Sequence, residues 1–329
     1  MSVRPKKRLG QHFLTDPNTV RRIVDAIAAP PGARVVEIGP GEGALTATLL
    51  DRYPDLVALE VDPEAVVHLR AAHPALDVRQ GDVLEADWAA LAGEGGGGKR
   101  QEGGAASGGR AAKPSTVLSA QPPLSPPGQE GDSSRTTPPR RVGVGGEGGA
   151  ADVASPNPRS PVPSPARAAG LHVVGNLPYY ITSPILFALL DAREHVARAV
   201  VMVQKEVADR LAAPPGSKTY GTLSVYFALY AETRTLFTVS RHCFRPKPAV
   251  ESAVVALDFG AAEPPDVAFG ALQRVVRAAF GQRRKMLRNS LGPVAEAAGV
   301  AVPEWAATLR PEAVSPADFV RLARHFDAA

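Results

Sequence analysis

The sequence predicts an α/β fold: a mostly parallel sheet with helices on both faces, followed by a small α-helical domain. Three observations support this prediction. Short apolar runs alternate with helical patterns, glycine or acidic residues follow these runs, and from about residue 264 the pattern is helical throughout. Alternating strands and helices of this size are typical of parallel sheets, because each connection has to cross back over a face of the sheet.

The predicted elements follow in chain order. Asp16 and Pro17 form an N-cap and first-turn pair, so a helix precedes the first strand. Strand signals that alternate with helical patterns then predict strands at residues 33–39, 56–62, 76–82, 171–176 and 197–204, with a late strand at 249–259. We expect the first five strands in the order 3-2-1-4-5, which places the carboxyl ends of the first and fourth strands side by side.

Residues 93–169, called the insert below, differ in composition from the rest of the chain. They hold 16 Gly and 12 Pro in 77 residues and few bulky apolar side chains, so they cannot bury enough surface to offset the entropy of ordering. We expect a long disordered insert, with a basic tether for nucleic acid as the alternative. The insert carries nine of the chain's 37 Lys and Arg and six of its 33 Asp and Glu. The remainder is therefore almost neutral, and the net charge of +4 does not by itself indicate nucleic-acid binding.

The single cysteine, Cys243, excludes an internal disulfide framework and a cysteine-cluster metal site. We expect it to be a small buried apolar residue. The first 14 residues carry positive charge without the apolar segment of a secretory signal. The most apolar window, residues 171–190, is interrupted by two prolines, a glycine and an asparagine, so no transmembrane helix is expected. These features predict a soluble cytoplasmic protein without a membrane or metal partner.

Three neighbouring strand ends carry residues suited to a nucleoside. EIGPGEGALT places Gly39, Gly41 and Gly43 at the start of a helix, where the backbone can approach a ligand and free N–H groups are available. Alone, this pattern fits NAD, a nucleoside cofactor or a structural turn. Glu60 ends the second strand, where a carboxylate can accept both hydroxyls of a ribose, and Asp82 ends the third, where it can bind an adenine amine. Together they predict a site for an adenosine-type cofactor.

The turn after the fourth strand, Asn176-Leu177-Pro178-Tyr179, is suited to holding an aromatic amine. The Asn176 side-chain carbonyl and the Leu177 backbone carbonyl can accept hydrogen bonds from the amine, Pro178 fixes the turn, and Tyr179 can stack on a flat base. Two acceptors favour a pyramidal nitrogen whose lone pair points at an electrophile. A methyl sulfonium is the consistent electrophile, so we expect S-adenosylmethionine as cofactor.

Together these motifs resemble the ribosomal RNA adenine N6,N6-dimethyltransferases of the small-subunit type, the 16S rRNA dimethyladenosine transferases. The segments that carry the resemblance are KKRLGQHFL, EIGPGEGALT, LEVD, QGD, GNLPYYITSPI, QKEVADRL, SKTYGTLSV, FRPKPAVESAVV and FGQRRKMLRNSL. The resemblance implies a Rossmann-like class I methyltransferase domain at residues 1–92 and 170–260 and a helical RNA-binding domain at 261–329. It also implies a monomer that methylates two adjacent adenosines near the 3′ end of small-subunit RNA, in a pre-30S particle, during ribosome biogenesis.

The resemblance also assigns roles to individual residues. His12 and Leu14 resemble residues that close over the cofactor. The positions that match the cofactor-binding set are Gly39, Gly41, Glu60, Asp82 and Asn176. The target-base site corresponds to Asn176, Leu177, Pro178 and Tyr179, with Phe244 as a second stacking face. A basic run is expected to contact phosphates, with a solvated helix face as the alternative; it consists of Arg283, Arg284, Lys285 and Arg288.

Other functions stay open on the sequence alone. They are a large-subunit rRNA adenine methyltransferase of the macrolide-resistance type, a DNA adenine methyltransferase, and a ribosome-assembly factor that acts mainly by binding. FRPKPAVES and RRKMLRNSL favour the small-subunit type. One departure from the family is large, because Asp82 and Asn176 lie 94 residues apart instead of being joined by a short connection. We expect the insert to enter the fourth strand at its amino end, opposite the crevice, and to leave the chemistry intact.

Overall fold

A computed structural model describes residues 12–93 and 170–328 of the chain. The described residues form a seven-stranded sheet and a separate two-stranded sheet. The strands are β1 Phe13–Leu14, β2 Val35–Ile38, β3 Leu56–Glu60, β4 Asp77–Gln80, β5 Leu171–Asn176, β6 Val196–Gln204, β7 Glu232–Val239, β8 Phe244–Arg245 and β9 Ser252–Asp258.

The large sheet has the order β4-β3-β2-β5-β6-β9-β7. Strands β4 to β6 in this order are parallel, whereas β9 is antiparallel to both β6 and β7. The expected order of the five parallel strands is confirmed. Strand β7 was not predicted, because its sequence ETRTLFTV is largely polar and it lies half-exposed at the edge of the sheet.

The helices cover both faces of the sheet, as expected. They are α1 Pro17–Ile27, α2 Thr46–Arg52, α3 Pro63–Ala72, α4 Trp88–Gly93, α5 Thr182–Asp191, α6 Lys205–Leu211, α7 Thr222–Tyr230, α8 Phe269–Gly281, α9 Leu287–Ser290, α10 Gly292–Ala298, α11 Glu304–Ala307 and α12 Pro316–Asp327. The predicted start of α1 is confirmed, because the Asp16 carboxylate accepts the Thr19 backbone N–H at 2.9 Å and Pro17 occupies the first turn.

Successive residues of the strands face two different apolar clusters, because side chains alternate across a sheet. In β5, Val173 packs into the cluster that includes α5 and α7, and Val174 packs into the cluster that includes α1 and α3. The C-terminal helices α8 and α12 belong to the first of these clusters. A boundary between a methyltransferase domain and a helical domain was predicted near residue 260. The apolar core continues across this boundary.

The insert falls almost entirely outside the described residues, so its predicted disorder stays a prediction. Helix α4 ends at Gly93, and the chain is described again from Gly170, immediately before β5. It therefore re-enters the sheet at the amino end of β5, the edge opposite the carboxyl ends of the parallel strands. Within the described residues, no helix has the length and apolar character needed to cross a bilayer.

Candidate active site

A cleft lies at the carboxyl ends of β2, β3, β4 and β5, where the parallel strands open toward solvent. It encloses about 750 Å³, part of which is open to solvent. The predicted site residues that line it are His12, Gly39, Gly41, Glu60, Asp82, Asn176, Leu177, Pro178 and Tyr179. The structure thus brings together three strand ends, a turn and the N-terminal segment, including His12 and Asn176, which lie 164 positions apart in the chain.

The glycine loop after β2 forms one wall of the cleft. Gly39 and Gly41 have φ angles of +61° and +58°, in the left-handed region that disfavours side chains. Gly39 has open space where a Cβ would be, so its conformation is what requires glycine. At Gly41 a Cβ would also lie 2.9 Å from Cε1 of Phe13, so both conformation and space exclude a side chain there.

Glu60, the last residue of β3, ties the glycine loop to the end of its own strand. Its side chain is buried, with Oε2 accepting the Gly41 N–H at 3.0 Å and Oε1 accepting the Asp62 N–H at 2.8 Å. Burial raises the pKa of the Glu60 carboxyl, while these two backbone hydrogen bonds act in the opposite direction. The carboxylate is therefore held in a fixed orientation beside the loop.

Asp82 lies beyond β4 on the exposed rim of the cleft. Its Oδ1 atom accepts the Leu84 N–H at 2.9 Å and so caps the short 3₁₀-helix at Val83–Glu85. Val61 and the buried Val83 present apolar surface to the same part of the cleft. A carboxylate beside apolar side chains is suited to binding the polar edge of a flat ring whose faces are apolar.

Asn176 ends β5 with its side chain held by the N-terminal segment. Its Nδ2 atom donates to the His12 carbonyl at 2.9 Å, and its Oδ1 atom receives no hydrogen bond from residues 12–93 or 170–328. The next residue, Leu177, is buried and donates its N–H to the Met202 carbonyl at 3.0 Å. The turn is therefore anchored to β6, and the amide oxygen of Asn176 stays available as an acceptor.

Tyr179 is anchored at its hydroxyl. The phenol lies 2.7 Å from Oγ of the fully buried Ser252 at the start of β9. Burial raises the pKa of the Tyr179 phenol, so it stays neutral at pH 7. The ring lies 5.4 Å from the His12 ring, centroid to centroid, at an interplanar angle of 34°. This anchoring fixes the plane in which a base can stack.

The N-terminal segment reaches the cleft by pairing with a late part of the chain. Strand β1 is antiparallel to β8, and Nδ1 of His12 lies 2.7 Å from the Pro246 carbonyl. The Thr15 N–H donates to the Cys243 carbonyl at 2.8 Å, and Cys243 itself is half-buried. These contacts hold His12 and Phe13 over the carboxyl edge of the sheet.

Two of the residues predicted to bind the cofactor or the target base do not line this cleft. Phe244 is only 2% exposed and packs in the apolar cluster around α1, opposite Leu14 in the β1 and β8 pair. Leu14 is also buried and lines a small neighbouring cavity that shares Gly39 and Asn176. In this structure the Phe244 ring is part of the core, so a base in the cleft does not meet it.

Three members of the predicted phosphate-binding run lie between α8 and α9, whereas Arg288 lies in α9, and all four of these basic side chains are exposed. Residues 283–285 lie in a turn instead of on a helix face. The Arg283 guanidinium donates to the Lys218 carbonyl at 2.7 Å. Among the described residues, none of the ion pairs engages this run, so its charge is available to a partner.

Several residues at the cleft were not predicted from the sequence, among them Phe13, Tyr180 and Glu37. Phe13 and Tyr180 line it, and each directly adjoins a predicted site residue. Glu37 is 1% exposed beneath the glycine loop, where it accepts the Thr46 hydroxyl at 2.7 Å. Burial raises the pKa of Glu37 to about 8, and the nearby Glu60 adds to the rise. The signal for Glu37 was an acidic residue inside the otherwise apolar strand VVEI.

The described residues contain no group of three or more His, Cys, Asp or Glu side chains arranged to hold a metal ion.

Known proteins similar in sequence identify the family. The chain matches the model for ribosomal RNA adenine dimethylase over residues 3–302. It is 41% identical over 326 residues to ribosomal RNA small subunit methyltransferase A of Salinibacter ruber, covering 99% of this chain and 86% of the relative. It is 37% identical over 324 residues to the protein of the same name from Xanthomonas euvesicatoria pv. vesicatoria, covering 97% and 95%.

Two solved structures share the fold. A dimethyladenosine transferase from Plasmodium falciparum superposes with a TM-score of 0.60 at 18% identity, covering 96% of this chain and 98% of that one. The 23S rRNA methyltransferase ErmE superposes with a TM-score of 0.50 at 23% identity, covering 96% and 99%. These likenesses concern the fold alone. The sequence relationships go further, and they show that the chain belongs to the ribosomal RNA adenine dimethylase family.

Proposed function

We propose that this protein transfers methyl groups from S-adenosylmethionine to N6 of two adjacent adenosines near the 3′ end of small-subunit (16S) ribosomal RNA, during ribosome biogenesis. One observation carries the proposal: the turn from Asn176 to Tyr179 faces the same cleft as the glycine loop and Glu60. The family match supports the chemistry, and the names of the relatives at 41% and 37% identity support the small-subunit substrate.

The cofactor end of the cleft fits a nucleoside with a charged tail. Glu60 has both oxygens fixed by backbone N–H groups and keeps further lone pairs for ribose hydroxyls. Asp82 and the apolar side chains of Val61 and Val83 suit the edge and faces of an adenine. When bound there, S-adenosylmethionine supplies an electrophilic methyl group. The glycine loop keeps side chains out of the volume that it needs.

The opposite end of the cleft holds the target amine. The Asn176 Oδ1 atom and the Leu177 carbonyl accept hydrogen bonds from the N6 amine, which directs the nitrogen lone pair toward the cofactor end. Tyr179 supplies a stacking face, and the target base has to leave its own stack to reach it. No strong general base is required, because the amine becomes acidic once alkylated and its proton can then pass to water. The protein contributes mainly orientation.

The remaining parts of the proposal concern partners. The exposed basic run at residues 283–288 is proposed to bind RNA phosphates, and the protein to act as a cytoplasmic monomer on a pre-30S particle. The rival substrates are large-subunit RNA and duplex DNA. A rival role is ribosome assembly by binding alone. The retained acceptors and anchored turn favour catalysis over that last role.

Methyl transfer from labelled S-adenosylmethionine to unmethylated small subunits tests this proposal, with large subunits and duplex DNA in parallel. We expect label only in small subunits, recovered as dimethyladenosine near the RNA 3′ end. Label confined to large subunits would move the protein to the macrolide-resistance type. Bound cofactor without transfer to any substrate would favour the assembly role.

A further inference from the structure

An exposed aromatic ring lies at the rim of the cleft. Tyr180 is 54% exposed and lines the cleft, one residue beyond the proposed stacking residue Tyr179. The other large apolar side chains that are exposed among the described residues are Val61, Val67, Leu84 and Val250. Tyr180 is the aromatic member of this set. An exposed ring beside a site for single-stranded RNA is suited to stacking on a base.

The local backbone turns Tyr179 and Tyr180 in different directions. Both lie in the 3₁₀-helix at Tyr179–Ile181, in which successive residues are rotated by about 120°. The Tyr179 hydroxyl is held inward by Ser252, so the following ring is directed toward solvent. The Pro178 carbonyl accepts the Ile181 N–H at 3.2 Å and the Thr182 hydroxyl at 2.9 Å, which keeps this turn rigid.

We propose that Tyr180 stacks on the base next to the adenosine being methylated. This inference rests on the proposed function. Removing a base from its stack leaves one face of its neighbour uncovered, and a ring at the rim can cover that face. Phe244 cannot do so here, because its ring is buried in the core.

This role makes Tyr180 a specificity-determining residue for adjacent targets. The Tyr179 ring is fixed for the base inside the cleft, and the Tyr180 ring lies one residue away, at the rim. Two rings in sequence therefore match two bases in sequence. A substrate with a stackable base beside the target adenosine would be preferred over one without it.

The first test compares the kinetics of Tyr180→Ala and Tyr180→Phe on unmethylated small subunits. Loss of one stacked base should raise KM for the subunit by about 5- to 150-fold in Tyr180→Ala, and Tyr180→Phe should restore most of the loss because it keeps the ring. The dissociation constant for S-adenosylmethionine should not change in either variant. Leu84→Ala is the matched control, because it also removes an exposed apolar side chain, one that does not line the cleft.

The second test removes the partner base. Small subunits are reconstituted with RNA that has an abasic nucleotide beside the target adenosine. For wild-type protein, we expect the abasic RNA to raise KM by about the same factor as Tyr180→Ala raises it on intact RNA. For Tyr180→Ala, the abasic RNA should raise KM little further, because the two changes remove the same contact.

Three outcomes would overturn the inference. They are an unchanged KM in Tyr180→Ala, an equal loss in Tyr180→Phe and Tyr180→Ala, and independent losses from the variant and the abasic site. Failure of the proposed function has a different signature, since wild-type protein would then transfer no methyl group to intact small subunits. In that case the proposed role of Tyr180 would be disproved together with the proposed function.

Discussion

Two buried carboxyls below the glycine loop have different surroundings. Glu60 accepts two backbone N–H groups, whereas Glu37 accepts a single hydroxyl, from Thr46. Burial raises the pKa of both carboxyls, and at Glu37 it raises the pKa to about 8. At neutral pH, Glu37 is a protonated carboxyl that supports the loop without adding negative charge beside Glu60.

The raised pKa of Glu37 predicts a pH-dependent stability. The folded chain keeps a proton that the unfolded chain releases above about pH 4.5, so the contribution of this group is full below that pH and is lost as pH rises to about 8. Glu37→Gln, which keeps the acceptor for Thr46, should therefore stabilise the protein increasingly with pH, by on the order of 1 kcal/mol per pH unit.

Urea unfolding at about pH 5, 6.5 and 8 measures this gain. Glu85→Gln is the control, because Glu85 is exposed on the 3₁₀-helix beyond β4. An equal change in the free energy of unfolding at all three pH values would contradict a protonated Glu37.

Asn176 is predicted to act in transfer more than in cofactor binding. Asn176→Ala removes the Oδ1 acceptor, and by comparison with the loss of a single oxyanion-hole donor the rate should fall by about 10²- to 10³-fold. Calorimetry should show S-adenosylmethionine affinity nearly unchanged. Asn18→Ala, at an exposed position in α1, is the control. Equal losses in affinity and rate would disprove the assigned role.

Ser252 is predicted to position the Tyr179 ring. Ser252→Ala and Tyr179→Phe each delete the same 2.7 Å hydrogen bond. Each should raise KM for small subunits severalfold and lower stability by about 1 kcal/mol. The double variant should be no worse than either single variant, since both remove one interaction. Additive effects on KM and stability in the double variant would show that Ser252 acts through something other than its hydrogen bond to Tyr179.

At the scale of elements, the sequence predicted β2, β3 and β5 well because they are continuous apolar runs buried on both faces. From the predicted ends of the strands, Glu60, Asp82 and Asn176 were expected at one edge of the sheet. Strand β7 escaped prediction because an edge strand with polar residues has no such pattern. The position of Phe244 could not be predicted, since a phenylalanine suits both a core and a stacking face, and the β1 and β8 pairing decides between them.

The glycine loop predicts a further effect at this scale. Gly41→Ala would force a left-handed alanine, at a cost of about 1–2 kcal/mol, and place its Cβ against Phe13. We expect weaker S-adenosylmethionine binding and a lower Tm. Gly292→Ala, at a helical position with open space, is the control and should leave cofactor binding unchanged without lowering the Tm. Unaltered cofactor binding in Gly41→Ala would contradict the loop's proposed role.

At the scale of the whole molecule, Gly170, the first described residue after the insert, precedes the amino end of β5, which is the sheet edge opposite the cleft. The chain leaves the described region after α4 and returns at the amino end of β5. Replacing residues 94–169 by a short Gly-Ser linker should therefore leave methyl transfer to small subunits and cofactor affinity unchanged. Lost transfer by a variant that still unfolds cooperatively would show that the insert contributes to substrate binding.

The hydrogen bond between His12 and Pro246 joins residues 234 positions apart. The wall of the cleft is therefore complete only when almost the entire α/β part of the chain has been synthesised. Closing so long a loop costs conformational entropy, and this cost is offset only once the contacts have formed. We therefore expect this wall of the cleft to form late in folding. A nascent chain that contains the glycine loop and Asn176 but ends before Pro246 is thus expected to lack a working site.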